Sequence, residues 1–213
     1  GGRLGIAEAD MARHIAFDVG AEGLASRLGR LLEAPAIFSD FSRLVIDPNR
    51  GEDDPTLLMR LYDGTVIPAN KLADAGERMR RLDRLHRPYH AALERLAARH
   101  PARCICAVHS FTRQLRGRPP RPWQVGILYS HADARLGPAM VGACRDEGWI
   151  TGENQPYDGH LQGDSIDRHA LAHGRPNMLI EVRNDLIATP EGQQLWAERL
   201  AGVITRVLAE SGL

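Results

Sequence analysis

The sequence predicts an α/β domain, a three-layer α/β/α sandwich in which a mixed, mostly parallel sheet lies between helices. Helix-periodic and strand-like segments alternate along the 213 residues, as in chains that build helices onto a sheet rather than bundles or paired sheets. Nearly continuous apolar runs at Cys104 to His109, Gln124 to Tyr129 and Met178 to Val182 have the look of strands buried inside such a sheet. The length fits one domain over residues 1–213.

The elements follow in order. From Glu8 to Leu32 apolar residues recur at helical spacing through Ile15, Val19, Leu24, Leu28 and Leu31. Ala34 to Phe38 and Leu44 to Asp47 read as strands. Asp53 to Asn70 reads as loop, with Asp63-Gly64 as a turn signal. A charge-rich helical pattern runs from Leu72 to Arg99, and Pro88 should kink or split it. Pro138 to Glu147 reads as a helix, Trp149 to Thr151 as a short strand and Asn154 to Gly174 as a long polar loop. Pro190, suited to a helix start, opens a closing helix to about Leu208.

Twenty-seven basic and 27 acidic residues cancel, so no nucleic-acid or membrane-surface partner is indicated. Cys104, Cys106 and Cys144 form no CxxC pair, which argues against a disulfide framework and for a reducing compartment such as the cytoplasm. No run approaches the roughly 18 apolar residues of a membrane span, and Gly1-Gly2-Arg3-Leu4-Gly5 is not a signal peptide.

Ligands in α/β sheets gather at the carboxyl ends of strands, where His109 and Arg50 fall. His109 is a candidate metal ligand or acid/base group, or a hydrogen-bonded structural histidine. His14 and Asp18, four apart on the first helix, supply a metal ligand and its partner, or an ordinary surface pair. Glu181 is a carboxylate inside an apolar strand, where burial raises its pKa towards the range useful for acid/base work. Ser42 to Arg50 places Arg43, Asn49 and Arg50 around a strand, a setting suited to gripping a carboxylate or else a solvated strand end. Arg183 pairs with Glu181 or with a neighbour. His86 and His90, with Pro88 between them, lean towards a structural role. The cysteines have no base nearby in sequence, and neither a phosphate loop nor a GxSxG elbow is present.

Taken together, seven segments resemble the N-formylglutamate amidohydrolase family: Arg13 to Ala21, Ser42 to Arg50, Asp63 to Asn70, Arg87 to His90, Val108 to Thr112, Gly152 to Tyr157, and Ile180 to Ile187. They follow the family's order over nearly the whole chain. The resemblance implies a phosphorylase/hydrolase-like or zinc-carboxypeptidase-like fold. It implies hydrolysis of a linear amide, typically N-formyl-L-glutamate giving formate and glutamate in histidine degradation. By that analogy His109 and Asp18, with His14 as an alternative or additional ligand, hold Zn²⁺ or another divalent metal. Glu181 is then the general base, and Arg43, Asn49, Arg50 and Arg183 hold substrate carboxylates. Family members usually carry a strand and a histidine loop upstream of the segment that Gly1 to Ile6 resembles, and this sequence lacks that ligand loop. A hydrolase for a different acyl amino acid, and a non-catalytic carboxylate-binding relative, are the alternatives.

Overall fold

The computed structural model describes residues 4–99 and 103–213; the Gly1-Gly2-Arg3 start lies outside the described residues. Along the chain run α1 (Glu8–Met11), α2 (Ala21–Leu31), β1 (Leu61–Tyr62), β2 (Thr65–Val66), α3 (Pro68–Lys71), α4 (Ala75–Arg81) and α5 (Arg87–Ala98). After these come β3 (Ile105–Phe111), β4 (Val125–Leu128), α6 (Gly137–Asp146), β5 (Thr151–Glu153), α7 (Ser165–His169), β6 (Asn177–Arg183) and α8 (Pro190–Glu210). No described helix is long and apolar enough to cross a membrane.

The main sheet has the order β3-β6-β4-β5; β3/β6 and β4/β5 are parallel, and β4/β6 is antiparallel. The expected α/β class and mixed, mostly parallel sheet are thus present. Alternation along each strand divides the side chains between two faces. On one face Val108, Met178, Ile180, Val182, Val125 and Ile127 meet α2, α6 and α8 through Leu24, Leu28, Met140, Trp196, Leu200 and Val203. On the other face the thin helix α7 covers only the early part of β3 and β6 and the end of the antiparallel β4, packing Ile166 and Ala170 on Leu128 and Leu179. The carboxyl-terminal part of that second face is left for polar groups.

Several expectations are corrected. The Glu8 to Leu32 pattern is two helices separated by an irregular stretch that follows Met11 and ends at Gly20, whose left-handed φ of 79° precedes α2. A Cβ on Gly20 would lie 2.1 Å from the Ile187 carbonyl oxygen. His14 and Asp18 therefore occupy an irregular turn and share no helix face. Neither Ala34 to Phe38 nor Leu44 to Asp47 is a strand. Leu44 and Ile46 are buried as alternation suggests, but side chains satisfy the backbone instead of a ladder. Asn70 Nδ2 donates to the Leu44 carbonyl (2.8 Å), Arg81 Nη1 to that of Val45 (2.7 Å) and the Leu57 carbonyl accepts from Asp47 N (3.0 Å). β3 is an edge strand and only half-buried for most of its length, not buried on both faces. The polar stretch after Asn154 contains α7, capped by Asp164, whose Oδ1 accepts from Asp167 N at 2.7 Å.

Elsewhere the local signals hold. Asp63 (φ 43°) and Gly64 (φ 77°) close the β1–β2 hairpin, the pair of positive φ values that a two-residue type I′ turn requires. Pro88 falls in the first turn of α5 and is preceded by a π-helical turn, Leu82–His86, which joins α4 to α5. His86 Nε2 meets the Arg50 carbonyl at 2.9 Å and His90 Nε2 meets that of Pro48 at 3.0 Å. Those imidazoles hold the segment that carries Arg43, Asn49 and Arg50.

Candidate active site

Strand register builds the site. His109 of β3 is the register partner of Glu181 of β6, and Glu181 faces Gly126 of β4. Register partners project to the same face, here the second face, just beyond the cover of α7. Gly126 leaves Glu181 beside bare backbone; a Cβ there would fall 2.2 Å from the Gln155 carbonyl oxygen.

The turn before α2 delivers a carboxylate to this pair. Asp18 Oδ2 lies 2.7 Å from His109 Nδ1, and Ser110 Oγ donates to the Val19 carbonyl at 2.8 Å, tying turn to strand. Arg43 backs Asp18: its Nη1 donates to Asp18 Oδ1 at 3.0 Å, while Nε and Nη2 donate to Asp47 Oδ2 at 3.1 and 2.8 Å. Arg43 N donates to the Ala16 carbonyl at 3.1 Å, fixing its backbone against the same turn.

The charges follow from these contacts. Burial pushes the Asp18 carboxyl up, but the His109 hydrogen bond and the Arg43 charge outweigh it and hold the group at about 2. Burial pulls His109 down, and the Asp18 contact raises it past that to about 9. Glu181 is different. Burial lifts its carboxyl to about 7 against the smaller downward pull of His109. It is 7 % exposed, and its Oε2 is buried with no hydrogen-bond partner. An unpaired buried carboxylate oxygen is costly and marks a place where a ligand, water or metal supplies the missing partner.

The other sequence-derived residues lie in different surroundings. His14 faces Asp63, Nε2 to Oδ2 at 3.5 Å, and that nitrogen is buried without a hydrogen bond. Asn49 Oδ1 accepts from Ser165 N at 3.3 Å, linking its loop to α7. Arg50 donates to Thr56 Oγ1 at 3.2 Å and to the Asn49 carbonyl at 2.8 Å. Arg183 pairs with Asp185, Nε to Oδ1 at 2.7 Å. The structure therefore brings Asp18, Arg43, His109 and Glu181 together, commits Arg50 and Arg183 to neighbours along the chain, and turns Asn49 to the start of α7.

Asp18 and His109 offer a carboxylate and an imidazole, donors suited to a divalent ion such as zinc, with the orphaned Glu181 oxygen on the same face. Among the described residues no three His, Cys, Asp or Glu side chains form a group able to hold an ion. Asp18 has both oxygens engaged, Oδ1 by Arg43 and Oδ2 by His109, so of the pair only the second ring nitrogen of His109 is left as a ligand, short of the three protein ligands of a typical catalytic zinc.

Sequence reasoning missed Asp47, Tyr62, Arg121 and Tyr157. Arg43 stands over the Tyr62 ring at 5.9 Å, and Arg121 over those of Tyr157 and Phe111 at 5.0 and 5.8 Å. Arg121 lies in an Arg- and Pro-rich loop with no periodicity, so only its proximity in the fold marks it. Two surface hollows of about 390 and 490 Å³ lie elsewhere, the first lined by His90, Glu94, Arg168 and His169, the second by Arg27, Glu191 and Gln194.

The family described as N-formylglutamate amidohydrolase matches residues 2–188. Over 159 residues the chain is 28 % identical to an N-formylglutamate deformylase of Pseudomonas putida, covering 66 % of this chain and 58 % of that protein. The chain therefore spans less than two thirds of the length of that curated relative. The fold is similar to the crystal structure of gene product Atu2144 from Agrobacterium tumefaciens, with a TM-score of 0.93 and 31 % identity over 100 % of this chain and 85 % of that one. It is also similar to N-formylglutamate amidohydrolase from Ralstonia eutropha JMP134, with a TM-score of 0.63 and 22 % identity over 87 % and 82 % of the two chains. At that identity the last likeness speaks for the fold alone.

Proposed function

The chain belongs to the N-formylglutamate amidohydrolase family, and on that premise we propose that it hydrolyses the amide bond of an N-formyl or related N-acyl amino acid, N-formylglutamate first among them. The observation that carries the proposal is Glu181: a buried carboxylate with an unpartnered Oε2, raised to about 7, beside the His109–Asp18 pair. A base with that pKa is ionised at mildly alkaline pH yet basic enough to take a proton from water.

In this reading Glu181 Oε2 accepts a proton from a water as its oxygen adds to the formyl carbon. The same proton passes to the amide nitrogen as the C–N bond breaks, leaving formate and the free amino acid. Asp18 fixes the orientation of the His109 ring, and Arg43, anchored by Asp47, holds Asp18 in place. His109, oriented by Asp18, would be one ligand of a divalent ion, which when bound would supply an electrophile for the carbonyl and acidify water. Glu181 itself contributes about 10²- to 10⁴-fold as a positioned base.

The test is formate release from N-formyl-L-glutamate by the full chain, with and without added Zn²⁺. Release that depends on Glu181 supports the proposal. Absence of release from every N-formyl and N-acetyl amino acid tried, in protein shown to be folded, contradicts it.

A further inference from the structure

The site as built has a base and an imidazole–carboxylate pair, but of the arginines expected to receive substrate Arg43 and Arg183 are already paired with carboxylates, and Arg50 is turned to Thr56 Oγ1 and the Asn49 carbonyl. Arg43 spends Nε, Nη1 and Nη2 on Asp18 and Asp47, and Arg183 is forked onto Asp185. Arg121 is placed otherwise. Phe111, over which it lies, follows His109 by two residues on β3, so both project to the site face. Its Nη1 donates to the Thr112 carbonyl at 3.1 Å and to the Tyr157 hydroxyl at 3.2 Å. Its Nε and Nη2 have no acceptor, and the guanidinium has no carboxylate partner, among the described residues.

These contacts do two things. The Phe111 and Tyr157 rings, 5.8 and 5.0 Å from the guanidinium carbon, and the Nη1 hydrogen bonds together restrict the group, reducing the rotamer freedom that otherwise weakens arginine contacts. Spending Nη1 on oxygen acceptors already in the fold leaves the Nε–Nη2 edge as the open one, which is the edge that meets a carboxylate through two parallel hydrogen bonds. The positive charge is also felt at Glu181 and His14, which places it within electrostatic reach of the reacting group.

We infer that Arg121, clamped by Phe111 and Tyr157, is the residue that takes a carboxylate of the acyl amino-acid substrate on its free Nε–Nη2 edge and so makes that carboxylate a requirement for good substrates. This rests on the hydrolase reading above and adds the residue that selects the substrate. Tyr157 acts as its positioning partner.

The test compares N-formyl-L-glutamate with its α-carboxamide and its γ-carboxamide, using the wild-type chain, Arg121→Ala and Arg121→Lys. In the wild type one carboxamide is expected to lose about 10- to 100-fold in kcat/KM, mostly through KM, the effect of a lost charge-assisted pair. Arg121→Ala should lose a similar factor on the diacid and nothing more on that carboxamide, so the two losses do not add. Arg121→Lys keeps the charge without the fork and should fall between. Equal losses on all three substrates, or undiminished discrimination in Arg121→Ala, would overturn the assignment and leave Arg121 as a clamp on its loop. Should the wild type release no formate at all, the hydrolase reading fails while the carboxylate site still answers to calorimetry with L-glutamate. Binding weakened about tenfold or more by Arg121→Ala then supports it; equal binding, or none to the wild type, refutes it.

Discussion

Asn70→Ala perturbs the device that replaces a strand beneath the site. Asn70 is 1 % exposed; its Nδ2 donates to the carbonyls of Leu44 and Met59, each at 2.8 Å, and its Oδ1 accepts from Arg81 Nη1 at 2.7 Å. Alanine leaves the Leu44 oxygen buried without this donor, at a cost of about 1–3 kcal/mol. The Met59 bond is only part-buried, so its loss falls near the low end of the same range. Arg81 keeps Glu77 and the Val45 carbonyl, so its share is small. The expected destabilisation is about 3 kcal/mol, or roughly 6–12 °C in Tm for a chain of this size. Urea unfolding should show the midpoint falling with the slope unchanged. Asn70→Asp keeps the volume but removes both donors, and should cost as much or more at neutral pH. A loss below about 1 kcal/mol in both variants would refute the claim that side chains, not a ladder, hold Leu44 to Asp47.

Further outcomes follow from the same geometry. Gly20→Ala should cost at least about 2 kcal/mol in equilibrium unfolding, because its φ of 79° and a Cβ position 2.1 Å from the Ile187 oxygen both oppose a side chain. Since Glu181 is ionised only above about 7, kcat/KM should fall about tenfold per unit below that pH, whereas an ordinary glutamate would leave the rate flat to about 5. The linked stability runs the other way. An unfolded Glu181 ionises near 4.5 and the folded one near 7, so folding stability is fullest below 4.5 and is lost as pH rises to 7. Glu181→Gln should recover up to about 3 kcal/mol of that loss at pH 8, read from unfolding curves. Elemental analysis of the full chain should find a divalent ion that is depleted by His109→Ala; unchanged content would remove His109 from the ligand set.

The alternation of helices and strands was legible because β3, β4, β6 and α8 each have an apolar pattern long enough to mark its period. The irregular half of the molecule was not. Leu44 and Ile46 alternate as strand residues do, yet the carbonyls of Leu44 and Val45 are satisfied by Asn70 and Arg81, which lie 26 and 36 residues further along the chain and carry no local signal. The Glu8 to Leu32 periodicity ran across an irregular stretch between Met11 and Ala21, which carries Asp18 and ends at Gly20 with its left-handed φ. Glu181 and His109 were readable as polar residues in apolar strands, but only the parallel register puts them side by side. Arg121 was invisible for the opposite reason: a loop arginine among several, set apart only by the Phe111 and Tyr157 rings beside it in the fold.

The most direct measurement is formate release from N-formyl-L-glutamate at pH 8 by the wild-type chain and by Glu181→Gln, with folding of both followed by circular dichroism. The expected result is release by the wild type and a loss of at least about 100-fold in kcat with Glu181→Gln, at a stability equal to or above that of the wild type. Comparable release by the folded Glu181→Gln variant would contradict the assignment of Glu181 as the base.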